Sequence, residues 1–289
     1  MYKLIVTDMD GTFLNGLGEI TRKNIKAVKK AMKRGVQFAI VTGRPYVSVK
    51  DILNDVKITC SCIGCNGAQV TGSDGKLITS HYLDTDNLIK IIRIAKEAGL
   101  YYQLYDDHYI YTSSRLNLLK LLKSYSKKSI KRHITLRRLY RGIKRLFFTE
   151  VSLKHDLLGF VSERRNKFYK IQIASVSAED LDVVCKKIRD VPDIDITSSN
   201  YFNIEVGPKG VTKGTALEEL AKSMNIKREE IIAFGDNFND IPMLQYAGCG
   251  VAVKNAEPPV KKEADYITKS NEDNGVAYAI EKFIFNDEG

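Results

Sequence analysis

Asp8 and Asp10 stand one residue apart where an apolar run ends, in the stretch "KLIVTDMDGTFL" that begins at Lys3. Carboxylates are poor strand residues, so two of them at the mouth of a buried strand need something to stabilise them. Three more polar clusters end apolar runs: Thr42-Gly43-Arg44, Asn66-Gly67, and Asp236 with Asn239 and Asp240. Lys213 opens a helix-like stretch after "GPKGVT". Acidic groups that converge on one edge repel each other unless a cation sits among them. Carboxylate oxygens with no His or Cys nearby favour Mg²⁺, which keeps several waters and couples to a phosphate. Thr42 and the Gly43 amide can donate to phosphate oxygens, and Lys213 supplies positive charge. A carboxylate in that company can act as a nucleophile and form an aspartyl-phosphate. Asp8 closes the strand, where its position is most rigid, and is the better nucleophile. Asp10 can protonate the leaving oxygen and later deprotonate the water that cleaves the intermediate. Gly11 and Thr12 supply the tight turn that aims both acids. A lone "DxD" is more often a turn cap than a site; three companion clusters make it a site.

These clusters need strands to carry them. "KLIVTD" and "VQFAIVTG" read as fully buried strands. Between them Thr21 caps a helix that buries Ile25, Val28, Ala31 and Met32 and stops at Gly35. "PYVSVKDILND" is a helix opened by Pro45, "CSCIGCNGAQV" resembles a third strand, and "GAQVTGSDGKLITSHYL" turns back at Ser73-Asp74-Gly75. Strand, helix, strand, helix, strand implies a parallel sheet. The style then changes to an amphipathic helix "DNLIKIIRIAKEAG", a Tyr-rich hairpin turning at Asp106-Asp107, a strand "FYKIQIASV" and a helix "AEDLDVVCKKIRD". The earlier style returns with "NIEV", "TKGTALEELAKSMN", "IIAFGD", "DIPMLQYA", "GVAV" and "GVAYAIEKFI". The fold class is therefore α/β, a doubly wound parallel-sheet core interrupted by an inserted α+β domain. Residues 1–83 and 191–289 form the core and 84–190 the insertion.

Composition sets the outer bounds. The 289 residues are 44% apolar and 28% charged, as in a soluble globular protein. Asp8 and Asp10 interrupt the first apolar run before a signal peptide could form, and no stretch is long enough to span a bilayer. Five cysteines are too few for a disulfide scaffold, so a reducing, cytoplasmic setting is the simplest reading. The net charge of +10 is uneven: residues 115–170 hold 17 Lys and Arg against 3 Asp and Glu, and the remainder holds 28 against 32. Within that segment Leu136, Leu139, Tyr140 and Ile143 follow helical spacing among Arg137, Arg138, Arg141, Lys144 and Arg145. A solvated basic face is the first reading; attraction of an anionic substrate and contact with nucleic acid or a membrane surface stay open. No RNA-binding motif accompanies it, and nucleic acid is not the expected partner.

"DMDGT", "VTGRP", "GVTKGTAL" and "GDNFNDIPML", in this order, resemble the four motifs of the haloacid dehalogenase superfamily, and the chain is most similar to its Cof-type hydrolases. The resemblance implies a Rossmann-like core and a cap of the C2 type between the second and third motifs. It also implies that Asp8 is nucleophile and metal ligand. Asp10 would bind the metal through its carbonyl and serve as acid/base, Asp236 would complete the protein ligands, and Asp240 would stand at or beside the metal. Met9 through its amide, Thr42, Gly43, Lys213 and Asn239 would hold the phosphate. The family's transport ATPases carry Thr where Asp10 stands, so Asp10 implies rapid hydrolysis.

The expected activity is Mg²⁺-dependent hydrolysis of small phosphorylated metabolites, with sugar phosphates foremost and pyridoxal phosphate or flavin mononucleotide within range. The cap would exclude bulk water and read the leaving group, through Tyr101, Tyr102 and Tyr105 or through Arg44 and Asn66 at its border. A monomer or weak homo-oligomer is expected. A phosphomutase on the same core, and a basic binding module with a vestigial core, are the alternatives. Cys60, Cys62 and Cys65 read as core residues, the first two on one strand face and the third on the other. His81, His108, His133 and His155 have no ligand spacing.

Overall fold

Leu4–Asp8 forms strand β1, and all five of its residues are buried. It lies centrally in an eight-stranded sheet because both of its faces are apolar. Leu4 and Val6 pack with Leu217, Leu220 and Ala221 of the helix Lys213–Ser223 and with Met243 and Leu244 of the helix Ile241–Tyr246. Ile5 packs on the opposite side with Val28 and Ala31 of the helix Arg22–Lys33 and with Val276 and Ile280 near the C-terminus. Each Leu, Ile, Val or Met among them, fully buried, contributes about 1.5–3 kcal/mol.

The structure is a computed structural model that describes residues 1–114, 151–164, 167–198 and 202–285. It divides into one unit of Met1–Ser80 with Val211–Gly289 and a second of His81–Gly210, inserted between those segments in the chain. In the first unit β1 pairs in parallel with β2 (Gln37–Val41) and β12 (Ile231–Gly235). The parallel series continues to β3 (Ser61–Gly64) on one side and to β13 (Cys249–Ala252) and β14 (Tyr266–Ile267) on the other. β4 (Gln69–Thr71) and β5 (Leu77–Ser80) extend the sheet antiparallel, as the Ser-Asp-Gly turn requires. Thr21 caps its helix, its hydroxyl accepting from the Asn24 amide at 3.2 Å. No helix among the described residues is long and apolar enough to cross a membrane.

The second unit holds a six-stranded sheet in the order β10 (Ile194–Thr197), β11 (Asn203–Pro208), β9 (Lys170–Ala174), β6 (Tyr101–Tyr105), β7 (Ile110–Thr112), β8 (Val151–Leu153). Its pairs are antiparallel apart from β7 with β8. The helices Thr85–Glu97, Leu157–Arg164 and Ala178–Ile188 share an apolar cluster with Leu104, Ile171, Ile173, Ile204 and Val206.

Three expectations change on contact with this structure. Residues 191–210, which the sequence assigns to the core, pair in the second sheet, so the boundary moves from 190 to 210. Ile204 and Val206 face the second unit's core while Asn203 and Glu205 alternate with them, as suits an antiparallel strand covered on one face. Tyr102 lies in that same apolar core. Tyr101 and Tyr105 occupy the other face of β6, where Tyr101 accepts from Gln103 at 2.8 Å and Tyr105 donates to Gln172 at 2.7 Å. Cys65 is not on a strand: it begins a tight turn, Cys65–Gly67, with φ +51°. All three cysteines of the cluster are buried, and none is in a disulfide. Burial pushes the Cys60 thiol up to about 12 and Cys62 well above its ordinary value, which keeps both protonated. The basic helix expected around 136–145, and His133, lie outside the described residues.

Gly67 has φ +111°, and a Cβ there would collide with the Thr212 carbonyl just before the helix that carries Lys213. Gly67→Ala is expected to destabilise the protein by about 2–3 kcal/mol, read as a lower urea midpoint at unchanged slope. A change within about 0.5 kcal/mol contradicts that packing.

Candidate active site

The carboxyl ends of the parallel strands converge on Asp8. After β1 the chain bends back at once: the Phe13 amide donates to the Asp8 carbonyl at 3.2 Å, and the Leu14 amide to the Met9 carbonyl at 2.8 Å. Gly11 makes this bend with φ +88°, and a Cβ on it would overlap the Asp236 carboxylate. Thr12 donates to that carboxylate at 2.6 Å. The Met9 side chain is fully buried in the apolar core, so its main chain is what it offers the site.

On the neighbouring strand, Asp236 and Asp240 follow β12. Asp240 is fully buried and accepts from the Asp236 and Asn237 amides, both at 2.9 Å, through Oδ2. Its Oδ1 receives the Lys213 ammonium at 2.5 Å, and the same Nζ donates to Asp8 Oδ1 at 2.7 Å. Lys213 starts a helix closed by a capping box between Thr212 and Thr215, which fixes where its side chain enters. It is 2% exposed.

Thr42 follows β2 and is held through its backbone. Its amide donates to the Ile63 carbonyl at 2.8 Å, and its carbonyl accepts from the Asn66 amide at 3.0 Å. Its hydroxyl accepts from the Arg44 amide at 3.2 Å, across Gly43. Asn66 has φ +61°, a conformation Asn tolerates better than most residues, and its Oδ1 accepts from Asn239 Nδ2 at 3.1 Å. Asp10 departs from the other acids: its carboxylate takes a two-point contact from Arg44, Nε to Oδ2 at 2.6 Å and Nη2 to Oδ1 at 2.5 Å.

Among the described residues, Asp8, Asp236 and Asp240 form the one group of three or more potential metal-ligating side chains, with oxygens all within 4.8 Å of one another. Burial pushes the Asp8 carboxyl well above its ordinary range, Lys213 opposes that rise, and Asp240 and Asp236 add to it. Burial, then Asp240, pushes Asp236 up to about 7. Burial disfavours the Lys213 ammonium, yet Asp240 and Asp8 together hold it above the usual lysine range. One ammonium among three carboxylates leaves excess negative charge in a buried, all-oxygen setting. That donor set fits a hard divalent cation.

Two residues that the sequence reading passed over brace the loop after β1. Asn255 Nδ2 donates to the Gly11 carbonyl at 2.8 Å, and Asn271 Nδ2 to the Leu14 carbonyl at 2.9 Å. The Asn271 amide in turn donates to Asn255 Oδ1 at 2.9 Å. The only signal in the sequence is Asn255 just beyond the end of the strand "GVAV".

A sheet edge with this constellation of acids, amides and one buried lysine is the kind of site that handles phosphoryl groups. Residues 5–280 match the profile of the haloacid dehalogenase-like hydrolases, and the chain belongs to that family. It is 29% identical over 286 residues to the phosphatase YwpJ of Bacillus subtilis, spanning 98% of this chain and 100% of that one. It is 30% identical to the 5-amino-6-(5-phospho-D-ribitylamino)uracil phosphatase YcsE of the same organism, spanning 98% of this chain and 96% of the relative. A solved haloacid dehalogenase-like hydrolase from B. subtilis superposes with a TM-score of 0.88 at 28% identity, over 97% of this chain and 99% of the other. The protein is a phosphatase with the family's parallel-sheet core and inserted second domain.

The raised carboxyls set a pH dependence. Without a cation, the folded state keeps protons on Asp8 and Asp236 that the unfolded chain releases near pH ~4. Stability of the cation-free protein is therefore expected to fall as pH rises from there toward about 7, where Asp236 ionises. A divalent cation replaces those protons, so its stabilising effect should grow over the same interval. Urea midpoints in EDTA and in a divalent salt, taken across that range, measure the gap; a gap that narrows with rising pH contradicts the cluster as drawn.

Proposed function

We propose that the protein is a Mg²⁺-dependent phosphatase of small phosphorylated metabolites, with sugar and polyol phosphates foremost, that works through an aspartyl-phosphate on Asp8. The observation that carries this reading is the buried cluster of Asp8, Lys213, Asp240 and Asp236. Asp8, Asp236 and the Asp10 carbonyl would hold Mg²⁺, with Asp240 beside them. The bound ion would neutralise charge on the phosphoryl oxygens and among the carboxylates.

The remaining steps belong to the chain's own groups. Lys213 fixes Asp8 Oδ1 and lends positive charge to the transferring phosphoryl group, while the other Asp8 oxygen attacks phosphorus. The Met9 and Gly43 amides, the Thr42 hydroxyl and the Asn239 amide group donate to the phosphoryl oxygens, with Asn66 orienting Asn239. As the ester bond to phosphorus breaks, Asp10 gives its proton to the leaving oxygen. Water then attacks the phosphorus, its proton passes to the Asp10 carboxylate, and the bond to Asp8 breaks to release inorganic phosphate. The substrate class draws support from YcsE, whose substrate by name carries its phosphate on a ribityl chain. A primary phosphate on a polyhydroxylated carbon chain is the chemistry a sugar phosphate shares.

Phosphate release from sugar phosphates, nucleotides, pyridoxal phosphate and flavin mononucleotide tests this. Release is expected to need Mg²⁺, to stop in EDTA, and to fall at least about 10³-fold in Asp8→Asn. Release that survives EDTA or Asp8→Asn contradicts the reading. Conversion of a sugar phosphate to its isomer without phosphate release would make the protein a phosphomutase instead.

A further inference from the structure

Arg44 and Asp10 form a contact that the phosphoryl chemistry above leaves unexplained. The side-on fork of the guanidinium takes both carboxylate oxygens, at 2.6 and 2.5 Å. The side chains are 24% and 54% exposed, and a pair so open to water contributes little to stability. Stability is therefore a poor reason for its geometry. The base of Arg44 is held from both sides: its amide donates to Thr42 Oγ1 at 3.2 Å, and its carbonyl accepts from the Cys65 amide at 2.9 Å. Asp10 sits between the end of β1 and the left-handed Gly11, and its main chain bridges to Leu14. Two rigid loops thus carry a short, planar link between two flexible side chains.

We propose that Arg44 is a positioning residue for Asp10, fixing the direction in which that carboxyl delivers and collects its proton. The inference rests on the phosphatase reading and on Asp10 as its acid/base. A carboxyl that must serve the leaving oxygen first and an attacking water later has to return to one orientation between the steps. Free rotation about the two side-chain bonds of Asp10 would scatter it. A planar fork admits one orientation of the carboxylate plane, whereas an ammonium is a point charge that admits many. When the proton leaves Asp10 for the leaving oxygen and the ester P–O bond breaks, the carboxylate formed is the species the fork holds best. It is then already aimed when water attacks phosphorus, gives its proton to Asp10, and the P–O bond to Asp8 breaks. A guanidinium whose fork is committed to a carboxylate is a poor choice for binding the substrate phosphate directly.

The test is the dependence of rate on the leaving group. Proton delivery matters greatly for an alkyl phosphate, whose leaving alkoxide is strongly basic, and little for p-nitrophenyl phosphate. Arg44→Gln is expected to lower kcat/KM, which reports phosphoryl transfer to Asp8 and not the later hydrolysis common to all substrates, on the order of 30-fold for an alkyl phosphate and at most about threefold for p-nitrophenyl phosphate, with little change in inhibition by inorganic phosphate. Arg44→Lys should recover only a small part of the loss. Asp10→Asn should show the same pattern more strongly, and the double variant should be no slower on the alkyl substrate than Asp10→Asn alone. An equal loss of kcat/KM on both substrates, weaker inhibition by inorganic phosphate as the main effect, additive losses, or full rescue by Lys each overturns the proposal. Asp8→Asn run in parallel separates the failures: activity surviving there sinks the phosphatase mechanism itself, whereas its loss with a uniform Arg44→Gln effect sinks the positioning role alone.

Discussion

One buried lysine makes the site possible. Lys213 donates to Asp8 and Asp240 from a position almost sealed from water. Without it, three carboxyls gathered within a few ångströms would hold their protons more tightly still or force the strand ends apart. With it, the fold can hold a nucleophilic carboxylate at the end of a fully buried strand. The remaining excess of negative charge is what a divalent cation would answer. The arrangement is costly to build, because each of these ions has left bulk water, and it persists because two backbone amides share the load on Asp240.

The α/β core supplies that geometry cheaply. Parallel strands end together at one edge, so residues far apart in the chain meet there without long loops. Asp8 and Lys213 are 205 positions apart, yet they join across adjacent elements of one unit. Close packing does the fine placement: Gly11 and Gly67 stand where any side chain would strike Asp236 or Thr212. The Asn255 and Asn271 amides then tie the loop after β1 to the far end of the chain.

Much of this was legible before any coordinates. The strand-end clusters, the Thr21 cap, the turn at Ser73-Asp74-Gly75 and the parallel core all follow from apolar periodicity and turn chemistry. What escaped was whatever depends on which sheet a strand joins. "NIEV" reads the same in either sheet, and only long-range pairing with β9 assigns it. Tyr102 differs from Tyr101 and Tyr105 by a single step of strand alternation, and that step turns it into the core. Cys65 leaves the strand because the chain must turn within "CNG", a local choice that its apolar neighbours conceal. The fork between Arg44 and Asp10 joins side chains 34 positions apart, and no spacing rule encodes it.

The central claim is that Asp8 carries the phosphoryl group during turnover. A single turnover with a good sugar phosphate in the presence of Mg²⁺, quenched in acid and digested, addresses it by mass spectrometry of the peptide that contains both Asp8 and Asp10. The account requires a transient, hydroxylamine-sensitive phosphoryl adduct on Asp8 that rises before free phosphate appears. An adduct on Asp10, or complete turnover with no protein-bound phosphoryl group at any time, would contradict it.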